Sequence, residues 1–233
     1  MKVDAVLWDY DGTLVNSVPK NIEITKQILV QVAPRLSGNG LPKYLRNEKE
    51  YHFANHAAKN WQDLYKDFYG LTESETNAAG KLWTEFQLKN TTPVELFPNI
   101  KDTVAQLNCP QGICSQNSAK NIKLVLEKNN LTEKFKAIIG YDNIPANAQK
   151  PSPIGGIVCL QEIFGEIQNK TVIYVGDHEG DVQFARNIES ELNHTNKVIS
   201  VAVKYSGANT SSWMHQPDYI ISSPLELLNL TGH

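Results

Sequence analysis

Short apolar runs separated by helix-patterned stretches constrain the fold of this chain more than any other feature. The runs are Val3–Trp8, Gly112–Cys114, Ala137–Gly140, Thr171–Val175 and Val198–Val203, with a weaker one at Tyr219–Ile221. Apolar runs of ~4–8 residues that do not alternate with polar ones read as strands covered on both faces, the kind that build parallel sheets. Between them, Ser118–Asn129 sets Ile122, Val125 and Leu126 at helical spacing behind Ser118 as an N-cap. Pro153–Phe164 repeats the pattern through Ile157, Leu160, Ile163 and Phe164, and Asp181–Ile188 through Val182, Ala185 and Ile188. Strand and helix in alternation predict an α/β fold with right-handed crossovers.

One stretch breaks the alternation. From Asn16 to Thr92 no strand pattern occurs, but three helical ones do: Ile22–Val32, Tyr51–Tyr69 and Glu73–Leu88. Trp61, Leu64, Tyr65 and Phe68 fall at i, i+3, i+4 and i+7, and Trp61, Tyr65 and Phe68 are expected in the core of this insertion. Pro34–Pro42 and Gly70 separate the helices, and the alternation resumes near Pro93 and Pro98. The division expected is an α/β domain of residues 1–15 and 94–233 and a helical domain of residues 16–93.

Composition removes several classes. Among 233 residues, 22 Lys and Arg against 25 Asp and Glu leave a net charge of −3 with no basic block, so no nucleic-acid partner is expected. No window approaches the ~20 apolar residues of a membrane span. Asp4 and Asp9 interrupt the first segment where a secretory leader needs apolar residues. The three cysteines, Cys109, Cys114 and Cys159, cannot pair into a complete disulfide framework. A soluble, cytoplasmic protein is expected.

Ligands of open parallel sheets bind beyond the carboxyl ends of the strands. Asp9 and Asp11 follow the first run, Ser115 the second, and Asp177 and Asp181 the fourth, while Lys150 opens the turn before the helix leading to that fourth run. A single Asp after a strand is most often a turn or capping residue. Asp-x-Asp at one strand end together with Asp-x-x-x-Asp at another is not required by capping. Two residues apart on extended backbone, Asp9 and Asp11 point to the same face. Carboxylates so close bind a hard cation or divide into acid and base roles. With Asp177, the oxygen-only ligand set suits Mg²⁺. Gly12 and Thr13 supply a tight turn whose N–H groups could cradle an anion, and Ser115 and Lys150 further contacts to anionic oxygens. Such a set is what phosphoryl transfer requires.

Four ordered segments resemble the motifs of the haloacid dehalogenase superfamily: Asp9-Tyr10-Asp11-Gly12-Thr13, Ile113-Cys114-Ser115, Lys150-Pro151, and Gly176-Asp177-His178-Glu179-Gly180-Asp181. The helical stretch resembles the cap of the phosphoglycolate phosphatase and β-phosphoglucomutase branch, and Leu96-Phe97-Pro98 its return linker. The resemblance implies a Rossmann-like parallel sheet with helices on both faces and an inserted all-helical cap. It implies Asp9 as the nucleophile, forming an aspartyl-phosphate, and Asp11 as the acid and base. Gly12, Thr13, Ser115, Gln116 and Lys150 would bind the phosphoryl group. Mg²⁺ would be held by the Asp9 carboxylate, the Asp11 backbone carbonyl and Asp177, with Asp181 acting through the metal's waters. The substrate would be a small phosphorylated metabolite.

Haloacid dehalogenases proper do without a second acid in the first motif and without metal, so the presence of Asp11, Asp177 and Asp181 argues against dehalogenation. A sugar phosphomutase using the same Asp9 is the alternative within enzymes. A phospho-acceptor signalling module or a silent binding protein is the alternative outside them. Lys20, Lys26 and Lys43 include no residue singled out as a Schiff-base lysine. His52 and His56, four apart, read as a polar helix face, Arg46 and Lys123, Lys128, Lys134 and Lys136 as solvated, and Cys114 as a packed small hydrophobe. His178 and Glu179 carry no assigned role, and the oligomeric state is open.

Overall fold

The computed structural model describes residues 2–58, 60–193 and 195–232. Its first strand, β1 (Ala5–Trp8), is buried at every position, as a run without polar alternation requires. The chain then enters a helical unit, Ser17–Glu95, which clusters separately from the unit made by the segment through Asn16 and the chain from Leu96 onward.

The helical unit contains α1 (Val18–Val32), α2 (Glu48–Ala57) and α3 (Glu73–Lys89). Its core gathers Ile22, Ile28 and Leu29 of α1 with Tyr51 and Ala54 of α2 and Leu64, Tyr65 and Tyr69. Asn47 caps α2 by accepting the Glu50 N–H, and Thr72 and Glu75 form a reciprocal capping box at α3. The helix expected over Tyr51–Tyr69 is not continuous. α2 stops at an extended Ala58, and Asn60 caps a new start at Trp61 that runs on as a π-turn over Leu64–Phe68. Asn side chains compete for backbone N–H groups, and here Asn60 takes the Asp63 N–H. The restart also moves Trp61 out of the expected core: it is 45 % exposed, its ring edge-on to Tyr65 at 5.8 Å.

The other unit continues with α4 (Ile100–Gln106), β2 (Gln111–Cys114), α5 (Ala119–Lys128), β3 (Ala137–Ile139), α6 (Ile154–Phe164), β4 (Thr171–Gly176), α7 (Glu179–Glu191), β5 (Lys197–Val203), β6 (Tyr219–Ile221) and α8 (Glu226–Thr231). The six strands pair in parallel in the order β3-β2-β1-β4-β5-β6. Each apolar run of the sequence is one of these strands. Helices cover both faces. On one face Leu7, Cys114 and Tyr174 pack with Cys159 and Leu160 of α6 and Phe184 and Ile188 of α7. On the other, the Trp8 indole donates to Gln111 Oε1 at 3.1 Å and Gln111 donates to the Val104 carbonyl of α4 at 2.9 Å. Gly112 is small for a reason: a Cβ there would lie 2.6 Å from Cys159 Sγ.

The strand order changes direction at β1, whose neighbours are β2 and β4. This is the topological switch point where ligands of such sheets bind. Trp8 is in register with Ile113 on one side and Val175 on the other, so the residues after all three strands emerge at one edge. Among the described residues no helix is long and apolar enough to cross a membrane.

Candidate active site

Asp9 leaves β1 with its N–H donating to the Val175 carbonyl at 2.8 Å, and a tight turn follows. Gly12 sits at φ +75°, and an added Cβ would lie 2.2 Å from Asp177 Oδ2. Glycine is required twice over there, by the left-handed backbone and by the carboxylate against it. The turn's own carbonyls take its amides: Gly12 N–H donates to Val15 and Thr13 N–H to Tyr10. The Thr13 side chain is fully buried, and the Thr13 carbonyl accepts the Tyr205 hydroxyl at 2.7 Å. Gly12→Ala is expected to lose about 1–3 kcal/mol of stability from backbone strain alone, and to displace Asp177. Thermal unfolding of the variant checks this, and an unchanged midpoint would contradict it.

Beyond β2, Ser115 is buried and its Oγ accepts the Asn117 N–H at 3.2 Å. Gln116 is exposed, its amide donating to the Lys150 carbonyl at 3.4 Å. Lys150 comes from the loop before α6, and its ammonium donates to Asp9 Oδ1 at 2.7 Å, Asp181 Oδ1 at 2.7 Å and the Tyr174 hydroxyl at 2.9 Å. Tyr174 donates in turn to the Cys114 carbonyl at 2.9 Å. The Phe184 ring centroid lies 5.6 Å from the Lys150 nitrogen.

Beyond β4, Asp177 and Asp181 complete a cluster. Carboxylate oxygens of Asp9, Asp177 and Asp181 all lie within 4.8 Å of one another, and all three residues are buried. Asp181 Oδ2 also accepts the His178 N–H at 3.0 Å. Asp11 is not in this cluster: the Asn117 amide donates to its Oδ2 at 2.8 Å, because the chain turns back on itself directly after β1. Asp11 nonetheless stays near Asp9 and Asp177, its negative charge acting on both.

Burial pushes the Asp9 carboxyl up to about 7, with Lys150 opposing and Asp181 and Asp11 adding to the rise. Asp177 is pushed well above the usual carboxylate range by burial, then by Asp181 and Asp9. Burial would pull the Lys150 ammonium down, but the Asp181 and Asp9 carboxylates more than reverse it. Three buried carboxyl groups facing one ammonium would carry excess negative charge if all were ionised, and an all-oxygen donor set of this kind fits a hard divalent cation such as Mg²⁺. The Cys114 thiol is pushed up to about 12 by burial, which makes it an inert packing group.

His52 and His56 are partly buried on α2 with ring centroids 5.9 Å apart, and burial lowers the pKa of His52. Neither belongs to the metal-ligating cluster found among the described residues. Arg46 and Lys123, Lys128, Lys134 and Lys136 are exposed. His178 caps α7, its Nδ1 accepting the Gly180 N–H at 3.0 Å, and Glu179 accepts both the backbone N–H and the ring nitrogen of His215 at 2.9 Å. Both are structural fittings beside the site. Sequence reading missed Asn117 and Tyr174. A phenol inside a wholly apolar strand was the available signal for Tyr174, since a buried Tyr hydroxyl needs a partner.

A Rossmann-like sheet carrying a buried acid cluster, a part-buried lysine and a serine at its switch point defines an α/β enzyme. The chain belongs to the haloacid dehalogenase-like hydrolase family, whose sequence profile matches residues 6–192. It is 26 % identical to a phosphoglycolate phosphatase of Synechococcus elongatus over 231 residues, 97 % of this chain and 96 % of that one. It is also 26 % identical to a phosphoglycolate phosphatase of Photorhabdus laumondii over 195 residues, 79 % of this chain and 76 % of that one. The fold matches the solved structure of a haloacid dehalogenase-like family hydrolase from Streptococcus pneumoniae at a TM-score of 0.74 and 19 % identity, over 98 % of each chain.

Proposed function

We propose that this hydrolase is a Mg²⁺-dependent phosphatase that cleaves a small organic phosphate monoester through an aspartyl-phosphate on Asp9. The observation that carries the reading is the pairing of Asp9 with Lys150, next to Asp177 and Asp181 and one strand away from Ser115. The phosphoglycolate phosphatases among its relatives support it, at an identity that leaves the substrate itself a proposal. Asp9 attacks phosphorus, the ester P–O bond breaks, and Asp11 passes its proton to the departing alkoxide oxygen. Water then attacks the phosphorus of the aspartyl-phosphate, Asp11 accepts a proton from that water, and Asp9 leaves as a carboxylate beside inorganic phosphate. Lys150 and the Ser115 hydroxyl hold the phosphoryl oxygens, with Gln116 at the rim. Asp9, Asp177 and the Asp11 carbonyl would hold Mg²⁺, supported by Asp181, and bound there it would neutralise phosphoryl charge. In this reading the Ser17–Glu95 unit is the cap that carries substrate choice, and the enzyme works on soluble metabolites in the cytoplasm.

Incubation with a panel of phosphorylated metabolites and Mg²⁺ tests the reading. Free phosphate from at least one monoester, 2-phosphoglycolate foremost, is expected. Isomerised sugar phosphate without phosphate release would instead establish the mutase. Metal binding also has a predicted pH signature. Burial holds protons on Asp9 and Asp177 in the folded protein, and Mg²⁺ must displace them, so the cation binds more tightly as pH rises. Mg²⁺ is therefore expected to raise the unfolding temperature more at pH 8 than at pH 5.5, and equal increments would contradict this.

A further inference from the structure

Asn117 is 6 % exposed, and its polar atoms are committed. Its N–H donates to Ser115 Oγ at 3.2 Å and its carbonyl accepts the Tyr141 N–H at 3.0 Å. Its side-chain Oδ1 accepts the Ser118 N–H at 2.8 Å and the Asn121 amide at 3.1 Å, while Nδ2 donates to Asp11 Oδ2 at 2.8 Å. A backbone N–H can only donate, so the Ser118 contact fixes which end of the amide is oxygen. The NH₂ end must then face Asp11. The bond reaches from the β2 end to the β1 end of the site, across 106 residues of chain.

We propose that Asn117 is the positioning residue for Asp11, an inference that rests on the acid–base role given to Asp11 above. With Oδ2 held as an acceptor by the amide, the transferable proton is confined to Oδ1 and rotation of the carboxyl is stopped. The Asn117 N–H occupies a lone pair of Ser115 Oγ, which leaves that hydroxyl's proton for a phosphoryl oxygen. A single side chain and its own backbone thereby set the direction of both proton-bearing groups relative to the ester.

The leaving group reads this role. An alkyl ester needs its oxygen protonated as the P–O bond breaks, whereas p-nitrophenolate leaves without such help, and kcat/KM covers the steps through that departure. The test compares p-nitrophenyl phosphate with the alkyl phosphate from the panel that turns over fastest. Asn117→Ala is expected to lower kcat/KM by ~10- to 100-fold on the alkyl ester and by less than ~3-fold on the aryl ester. Asn117→Asp keeps the Oδ1 contacts to Ser118 and Asn121 but removes the donor to Asp11, so it gives the same selectivity and carries the test should the alanine variant unfold. Equal losses on both esters in a folded Asn117 variant would overturn the proposal. Asp11→Asn serves as the reference: an alkyl-selective loss there with none in the Asn117 variants sinks the Asn117 role alone, whereas an unselective loss there removes the reading of Asp11 on which it rests.

Discussion

Asp9→Asn is expected to abolish phosphate release from p-nitrophenyl phosphate, with kcat/KM falling by on the order of 10⁴-fold or more, if Asp9 is the covalent nucleophile proposed above. The amide has the volume of the carboxylate and keeps an oxygen to accept from Lys150, but it cannot form the acyl phosphate. The fold is expected to survive the change. In the native protein burial pushes the Asp9 pKa up to about 7 from an ordinary value of 3.8. The folded state therefore holds a proton that the unfolded chain has lost between those values, and stability attributable to this group declines as pH rises from about 4 to 7. At pH 8 both states carry the charge and the folded state bears the burial penalty. The neutral amide removes that penalty, so at pH 8 without metal the variant is expected to unfold at the same temperature as the parent protein or higher. Turnover within tenfold of the parent would sink the nucleophile assignment, and a collapsed unfolding temperature would sink the electrostatic account.

Lys150→Met should act in the opposite sense, on stability first. The ammonium contacts Asp9 and Asp181 at 2.7 Å, and its side chain is only 11 % exposed. Methionine fills a similar volume beside the Tyr174 and Phe184 rings, but it leaves the buried carboxylates without their cation. Removing one partner of a buried ion pair costs about 3–5 kcal/mol. Urea unfolding at pH 8 without metal is expected to report a loss of that size, and Mg²⁺ to recover part of it by supplying positive charge to the same acids. Arginine should not restore the parent behaviour, because its planar fork is wider than the ammonium and cannot reach Asp9, Asp181 and the Tyr174 hydroxyl from one point. A loss below about 1 kcal/mol would show that the Asp9–Lys150–Asp181 contacts do not hold the folded protein together.

Much of this site is legible in the sequence because it sits at strand ends. A buried parallel strand must be a short apolar run, so its end is visible, and the first polar residue beyond it is forced to the sheet edge. That is why Asp9, Ser115 and Asp177 could be placed together from separations of more than sixty residues. The same argument fails for residues whose partner is set by a turn. The spacing brings Asp11 close to Asp9, but nothing in that spacing indicates that Asn117 donates to its carboxylate. Asn117 itself gave no signal, since an Asn before a helix is an ordinary capping residue. Trp61 fell on the apolar stripe of a continuous helix, and the Asn60 cap restarted the helix and left its ring partly in solvent.

The sequence by itself determined the α/β alternation, the helical insertion and the set of acids, hydroxyl and lysine brought to one edge. These follow from hydrophobic period and chain order, which are local and additive. Tertiary structure alone decided which acid meets which partner: Asp9 and Asp181 with Lys150, Asp11 with Asn117, Tyr174 with the Cys114 carbonyl. Those pairings depend on strand order and on side chains from segments far apart in the chain meeting within 3 Å. No periodicity along the chain encodes a distance across it.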